Sequence, residues 1–318
     1  MHHCDKAKHV SKCLQLAILL EVSTHKPGNV NFVVGFEGTR VEHFLASAVA
    51  AAPSFEEAAR RGIDVANGTL DIKKVGVGQL IRECVADIDA WQKGGNTLIG
   101  TVMLFIPIAV AAGMTPFKPN KNYAEIDLVA LKKNIKLVTE ATTPQDAVAV
   151  FESIGIAKPS GLNGAPDLDV NNVKSKERLI KENVTLYQVF KIAASYDDVC
   201  SEFVNNYPIT FDMAFPYLME QLLSKGMTTA IVNTFLKILA EHPDTFIARK
   251  VGIENAQKIS LDAKKILQEK GVATPKGKEL TAMLDKKLRE SGNNYNPGTT
   301  ADITAATIAL CTLSGYRP

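Results

Sequence analysis

Apolar residues recur along most of the chain at the spacing of one helical face. Ala147, Val150, Phe151 and Ile154 stand at i, i+3, i+4 and i+7, entered by Thr143-Pro144 with Asp146 in the first turn and closed at Gly155. That pattern predicts a short amphipathic helix with both ends marked. Leu186, Val189, Phe190 and Ala193 form a second stripe. Ile231, Thr234, Phe235 and Ile238, then Ala256, Ile259, Ala263 and Ile266, then Leu280, Met283, Leu284 and Leu288 repeat the geometry. Ser54 followed by Glu57 has capping-box spacing before a helix ending near Gly62. Strand-like alternation is scarce, so the pattern predicts an all-α fold.

Leu98–Met114 reads LIGTVMLFIPIAVAAGM. It is shorter than the roughly 20 residues a bilayer demands, and Gly100 and Pro107 interrupt it. The expectation is a buried helix at the centre of a helical domain. Lys158 to Asn172, KPSGLNGAPDLDVNN, is the longest loop-like passage. The helices on both sides of it have incomplete apolar faces, which favours one large helical domain over residues 1–318 with this loop laid over it; two lobes are the alternative. No repeat of solenoid period is visible.

Composition narrows the class. The 318 residues carry 36 basic and 34 acidic side chains, a formal net charge of +2. Nothing in that balance suggests a nucleic-acid track or a polybasic membrane surface, and anionic partners would have to be held locally. Cys4, Cys13, Cys84, Cys200 and Cys311 are scattered and form no Cys-x-x-Cys pair, as expected for reduced thiols in a cytoplasmic protein. The apolar run Leu14 to Leu20 enters Glu21 with no small-residue cleavage site, which argues against secretion.

Four polar marks remain that packing does not require, each at a helix end. They are His25-Lys26-Pro27-Gly28-Asn29, Gly94-Gly95-Asn96-Thr97, Pro243-Asp244-Thr245, and Asn296-Pro297-Gly298-Thr299-Thr300-Ala301-Asp302. Singly, each has an ordinary explanation. Lys26 complements the negative end of a helix dipole, Pro27 stops the helix and Gly28 lets the chain reverse, while Asn96, Thr97 and Asp244 have the chemistry of caps and Asp302 suits a helix N-terminus.

Together, the marks resemble the triphosphoribosyl-dephospho-CoA synthases, of which this chain reads as a divergent member. The likeness is carried by Lys26-Pro27-Gly28, Phe44 with Ser47-Ala48, Ala86-Asp87, Asn96-Thr97 with Gly100, Asp244-Thr245, and Pro297-Gly298 with Ala301-Asp302, and it spans most of the chain. The resemblance implies a helical, cytoplasmic, ATP-dependent transferase that joins ATP to dephospho-CoA, releases adenine and makes the precursor of an acyl-carrier prosthetic group. In that reaction the 2′-hydroxyl of dephospho-CoA attacks ribose C1′ as adenine leaves, with no covalent nucleophile. Such an enzyme must hold a triphosphate, usually with Mg²⁺, deprotonate a hydroxyl and stabilise positive charge at the anomeric carbon.

The expected nucleotide-binding residues are Lys26, Gly28 and Asn29 at the first turn, Asn96 and Thr97 at a helix N-terminus that favours anions, and Thr245. Asp87, Asp244 and Asp302 are expected as Mg²⁺ ligands or as the general base, with Glu21 and Glu83 weaker candidates. Glu83 and Asp87 share a helix face at i, i+4, and Asp89 lies off it. The departures bear on substrate: Leu98 and Ile99 stand where better-known members of the family have His-Lys, and Gly35 to Arg40 replaces a His-x-Asp-Met pattern. Arg40 or Lys250 could restore the lost charge. The alternatives are another Mg²⁺-dependent nucleotide or ribosyl-linkage enzyme on the same scaffold, or a helical binding protein without catalysis.

Overall fold

The computed structural model describes residues 3–119, 124–160, 168–170 and 172–318. Helices α1 (His3–Ser23), α2 (Val41–Ala50), α3 (Ala52–Ala66), α4 (Val77–Trp91) and α5 (Ile99–Met114) build the first part of the chain. A two-stranded antiparallel hairpin, β1 (Phe117–Pro119) with β2 (Ala124–Ile126), leads to α6 (Leu128–Glu140) and α7 (Pro144–Ala157). Then come α8 (Val173–Lys181), α9 (Leu186–Ala193) and α10 (Asp198–Val204). A π-helical turn, Ile209–Ala214, runs into α11 (Phe215–Lys225), followed by α12 (Met227–Glu241), α13 (Thr245–Val251), α14 (Ile253–Gln268), α15 (Pro275–Glu290) and α16 (Gly298–Leu313). The all-α expectation holds, since the hairpin is the only sheet among the described residues.

Helix α5 is buried on every side from Thr101 to Gly113, as its unbroken apolar run predicts. Pro107 inside it costs about 3 kcal/mol. Phe105, Ile106 and Ile108 flank it with no exposed surface, and burial of each contributes about 1.5–3 kcal/mol, so packing outweighs the lost backbone bond. Helices α3 and α5 touch backbone to backbone. A Cβ on Gly62 would lie 1.9 Å from the Val110 carbonyl oxygen, and one on Gly113 would lie 2.1 Å from that of Ala59.

Gly62 therefore does not end its helix, as the pattern suggested; it is the contact point of a helix that continues to Ala66. Nor does Ser54 cap it, because Pro53 already occupies the first turn of α3 and Ser54 is buried within the helix. Glu57, freed from that role, pairs with Arg60 and Arg61. The expectation for α7 fares better. Thr143 and Asp146 form a reciprocal capping box, and the helix passes Gly155 to stop at Lys158 in the left-handed region, φ 45°. In α15, Leu284 and Leu288 face the core whereas Met283 is exposed.

One face of α12 (Ala230, Ile231, Ile238) packs into the main core, and the other (Val232, Phe235, Leu236, Leu239) packs with α14 and α15 in a second cluster. Helix α16 is buried nearly all round and lies along α1, where Thr312 Oγ1 donates to the Cys13 carbonyl at 3.0 Å. The thiols of Cys13, Cys84, Cys200 and Cys311 are buried and unpaired in disulfides. Among the described residues no helix is long and apolar enough to cross a membrane. Of the mid-chain loop, Lys158–Ser160 and Leu168–Val170 border the cavity described next, and residues 161–167 and 171 lie outside the described residues.

Candidate active site

Helix α1 ends where Thr24 turns its hydroxyl back onto the Leu20 carbonyl at 2.8 Å. The chain then reverses through Gly28, at φ +75°. A side chain here would be strained by that angle and would meet Leu288 Cδ1 at 2.8 Å and Pro297 Cδ at 2.9 Å. Its N–H donates to Asp285 Oδ1 at 2.7 Å. The backbone of Gly28 is thus engaged by α15, not offered to a phosphate.

Lys26 departs furthest from expectation. It has no exposed surface. Its ammonium donates to the Glu21 carbonyl, to the Thr24 carbonyl at 2.8 Å, and pairs with Glu21 Oε1 at 3.1 Å. Three acceptors satisfy the three donors of an ammonium, so the charge is spent inside the protein. Burial pushes the Glu21 carboxyl up and the Lys26 ammonium down, while the pair's mutual attraction opposes both shifts.

The partner of Lys26, not Lys26 itself, reaches the cavity. A space of about 420 Å³ is bounded by the end of α1, the start of α5, the end of α7, α9, α10, α13 and the start of α16. Glu21 lines it, as do Asn29, Asn96, Thr97 and Asp302. The Asn29 amide donates to Asn296 Oδ1 at 2.6 Å. Asn96 accepts the Ile99 N–H at 3.2 Å, and the Thr97 hydroxyl meets that of Ser47 at 2.8 Å, so both cap and brace the entry to α5 while facing the space.

Asp302, near the start of α16, lies against the bare backbone of Gly100. Its Oδ1 accepts from Thr101 Oγ1 at 2.5 Å. Burial lifts its pKa to about 7, with the Thr101 bond pulling down and the charges of Glu21, Asp244 and Asp197 pushing further up. Among the described residues no cation pairs with it.

Asp244 has a different place. Its Oδ1 accepts the Ile247 N–H at 2.9 Å, capping α13, and its Oδ2 accepts the Thr300 N–H at 2.8 Å and hydroxyl at 2.7 Å. It is buried and does not line the cavity, a clasp joining α13 to α16. Thr245 braces the same joint, accepting from the Asp198 N–H at 3.1 Å and meeting the Thr299 hydroxyl at 3.2 Å. Asp87 is exposed on α4 and outside the cavity, as is Glu83, which accepts from Gln79 at 2.7 Å. Of the residues expected to bind nucleotide or metal, the cavity thus gathers Asn29, Asn96, Thr97 and Asp302 but not Lys26, Asp87 or Asp244. Among the described residues no three His, Cys, Asp or Glu side chains converge on a metal position, so the three aspartates do not form one centre.

Arg40 is exposed and away from the cavity; Lys250 stacks over Phe246 at 3.8 Å and donates to the Asn293 carbonyl at 3.1 Å. Among the described residues the cations at the cavity are Arg249 and Lys158. Arg249 is ion-paired with Asp197, whose Oδ1 caps α10 through the Val199 N–H at 2.9 Å. Sequence reasoning passed over Arg249 and Asp197. The available signal was position, since Arg249 follows Asp244-Thr245 within one short helix.

A cavity of this size, lined by carboxylates of shifted pKa and by basic and amide groups, marks a small-molecule enzyme built on a helical scaffold. The model of the ATP:dephospho-CoA triphosphoribosyl transferase family (CitG) matches residues 7–318, and the chain belongs to that family, a family of transferases. It is also similar in fold to a crystal structure from Archaeoglobus fulgidus provisionally described as a triphosphoribosyl-dephospho-CoA synthase. The likeness has a TM-score of 0.60 at 22% identity, over 86% of this chain and 100% of that one.

Proposed function

We propose that this transferase moves the triphosphoribosyl group of ATP onto a hydroxyl of dephospho-CoA, or of a related acceptor, and releases adenine. The observation that carries the reading is Asp302, a cavity-facing carboxylate with no paired cation among the described residues and a pKa of about 7. Such a group takes a proton from a hydroxyl near neutral pH. The 2′-hydroxyl oxygen bonds to ribose C1′ as its proton passes to Asp302, and the electron pair of the C1′–N9 bond leaves with adenine, which takes up a proton as it departs. Positive charge gathers at C1′ in the transition state, and a wall rich in carboxylates favours it.

Arg249 and Lys158 supply positive charge for the triphosphate, and the start of α5 beside Asn96 and Thr97 offers backbone N–H groups to an anion. No three carboxylates among the described residues form a metal site, but Asp197 at the cavity wall would supply one protein oxygen to Mg²⁺ travelling with the triphosphate. When bound, the ion neutralises phosphate charge. Leu98 and Ile99 line the cavity where a basic pair is absent, so the acceptor meets an apolar wall there.

The test is mass spectrometry of products after incubation with ATP, Mg²⁺ and a panel of CoA-type acceptors that includes dephospho-CoA. The expected result is an acceptor carrying one triphosphoribosyl group with one adenine released per adduct. Ribosyl triphosphate formed without any acceptor would mark a hydrolase instead, and intact ATP across the panel would overturn the reading.

A further inference from the structure

Glu21 and Lys26 meet at the end of α1 in a pair that the fold does not require. Two apolar side chains of similar volume commonly serve a core as well as a buried ion pair, because desolvating two charges consumes most of their attraction. Yet this pair is not sealed away on both sides. Lys26 is enclosed, its three donors taken by the carbonyls of Glu21 and Thr24 and by Glu21 Oε1. Glu21 borders the cavity that Asp302 also borders, and its charge is felt there. One carboxylate oxygen is tied to Lys26, and no hydrogen bond engages the other among the described residues.

Glu21 and Asp302, two of the carboxylates that line the cavity, differ in the way that separates roles. Asp302 has a hydroxyl donor and no paired cation, the setting of a group that takes up a proton. Glu21 has an ammonium fixed against it, the setting of a group that holds negative charge.

We propose that Glu21 is a second catalytic carboxylate, stabilising the positive charge that develops at C1′, and that Lys26 is its positioning residue, the ammonium that fixes the carboxylate at the cavity wall. This rests on the triphosphoribosyl transfer proposed above. Lys26 then acts through Glu21 and touches no substrate.

The experiment pairs Glu21→Gln with Lys26→Met, which removes both charges together and keeps the volume, and it measures melting, ATP binding by calorimetry, and kcat and KM for adenine release. The double variant is expected to melt near the parent and to bind ATP within about threefold, while kcat falls about a hundredfold, the scale of losing one charge-stabilising group. Turnover within about threefold of the parent would reduce the pair to scaffolding and overturn the inference, leaving the transfer reading intact. A parent that binds no ATP would overturn both. Should the double variant not fold, Glu21→Asp keeps the charge and draws it back by one methylene. It is expected to lower kcat at least about tenfold with KM nearly unchanged; an unchanged kcat there would equally overturn the inference.

Discussion

The carboxylate of Asp302 lies so close to Gly100 that a Cβ on the glycine would meet Oδ2 at 2.1 Å. Glycine at this point is therefore part of how the acid is placed, from near the start of one buried helix onto the first turn of another. Gly100→Ala should push Asp302 off the Thr101 hydroxyl. We expect adenine release to fall at least about tenfold, with a stability loss of only about 1–2 kcal/mol from the forfeited hydrogen bond; kinetics and denaturant melts on the same preparation check both.

As the proposed general base, Asp302 also ties rate to pH. Its pKa of about 7 in the folded chain, against an ordinary value of 3.8, predicts adenine release that climbs with pH through about 7 as the base loses its proton. Stability runs the opposite way. The native state binds this proton more tightly than the unfolded chain, so the contribution is complete below about 3.8 and declines as pH rises toward 7. Asp302→Asn should remove that decline, raising stability at pH 8 by about 1–3 kcal/mol, while lowering kcat about a hundredfold or more.

Lys26→Ala should unfold the protein readily. Removing one member of a buried pair leaves the other uncompensated, a loss of about 3–5 kcal/mol, to be read from urea denaturation. A loss below about 1 kcal/mol would return Lys26 to the exposed helix-end charge that its sequence position suggested.

Arg249→Ala should weaken ATP binding by about 1.5–3 kcal/mol, the range of a charge-assisted contact, whereas Asp87→Asn should leave binding and turnover unchanged. Calorimetry with Mg²⁺-ATP on both variants separates the cavity cation from the exposed acid.

Much of the fold was legible because helical periodicity is a local signal. Thr143, Pro144 and Asp146 announce their helix, and the apolar run of α5 states its own burial. Ser54 misled because its spacing to Glu57 outweighed Pro53, the better marker of a first turn. The site was legible only in part. Asn96 and Asp302 were found through a likeness extending along the chain, yet nothing near Lys26 reveals that its ammonium turns inward, since a lysine after a helix is ordinarily exposed. Asp244 and Asp87 show the same limit: an aspartate at a helix end and one on a helix face read alike until packing decides which is clasped and which is solvated. Arg249 escaped notice because its use depends on α10 and Asp197, far away along the chain.

The pairing of α1 with α16 has a consequence for the protein while it is being made. The cavity takes Glu21 from the first helix and Asp302 from the last. A chain emerging from the ribosome can assemble α1 to α15 and still lack Asp302, because nothing before Gly298 supplies it. Docking of α16 must close nearly the whole sequence into one loop, a slow kind of contact to form. On the transfer reading proposed above, turnover waits for the same event that seals the core, and a chain stalled before Gly298 is expected to release no adenine.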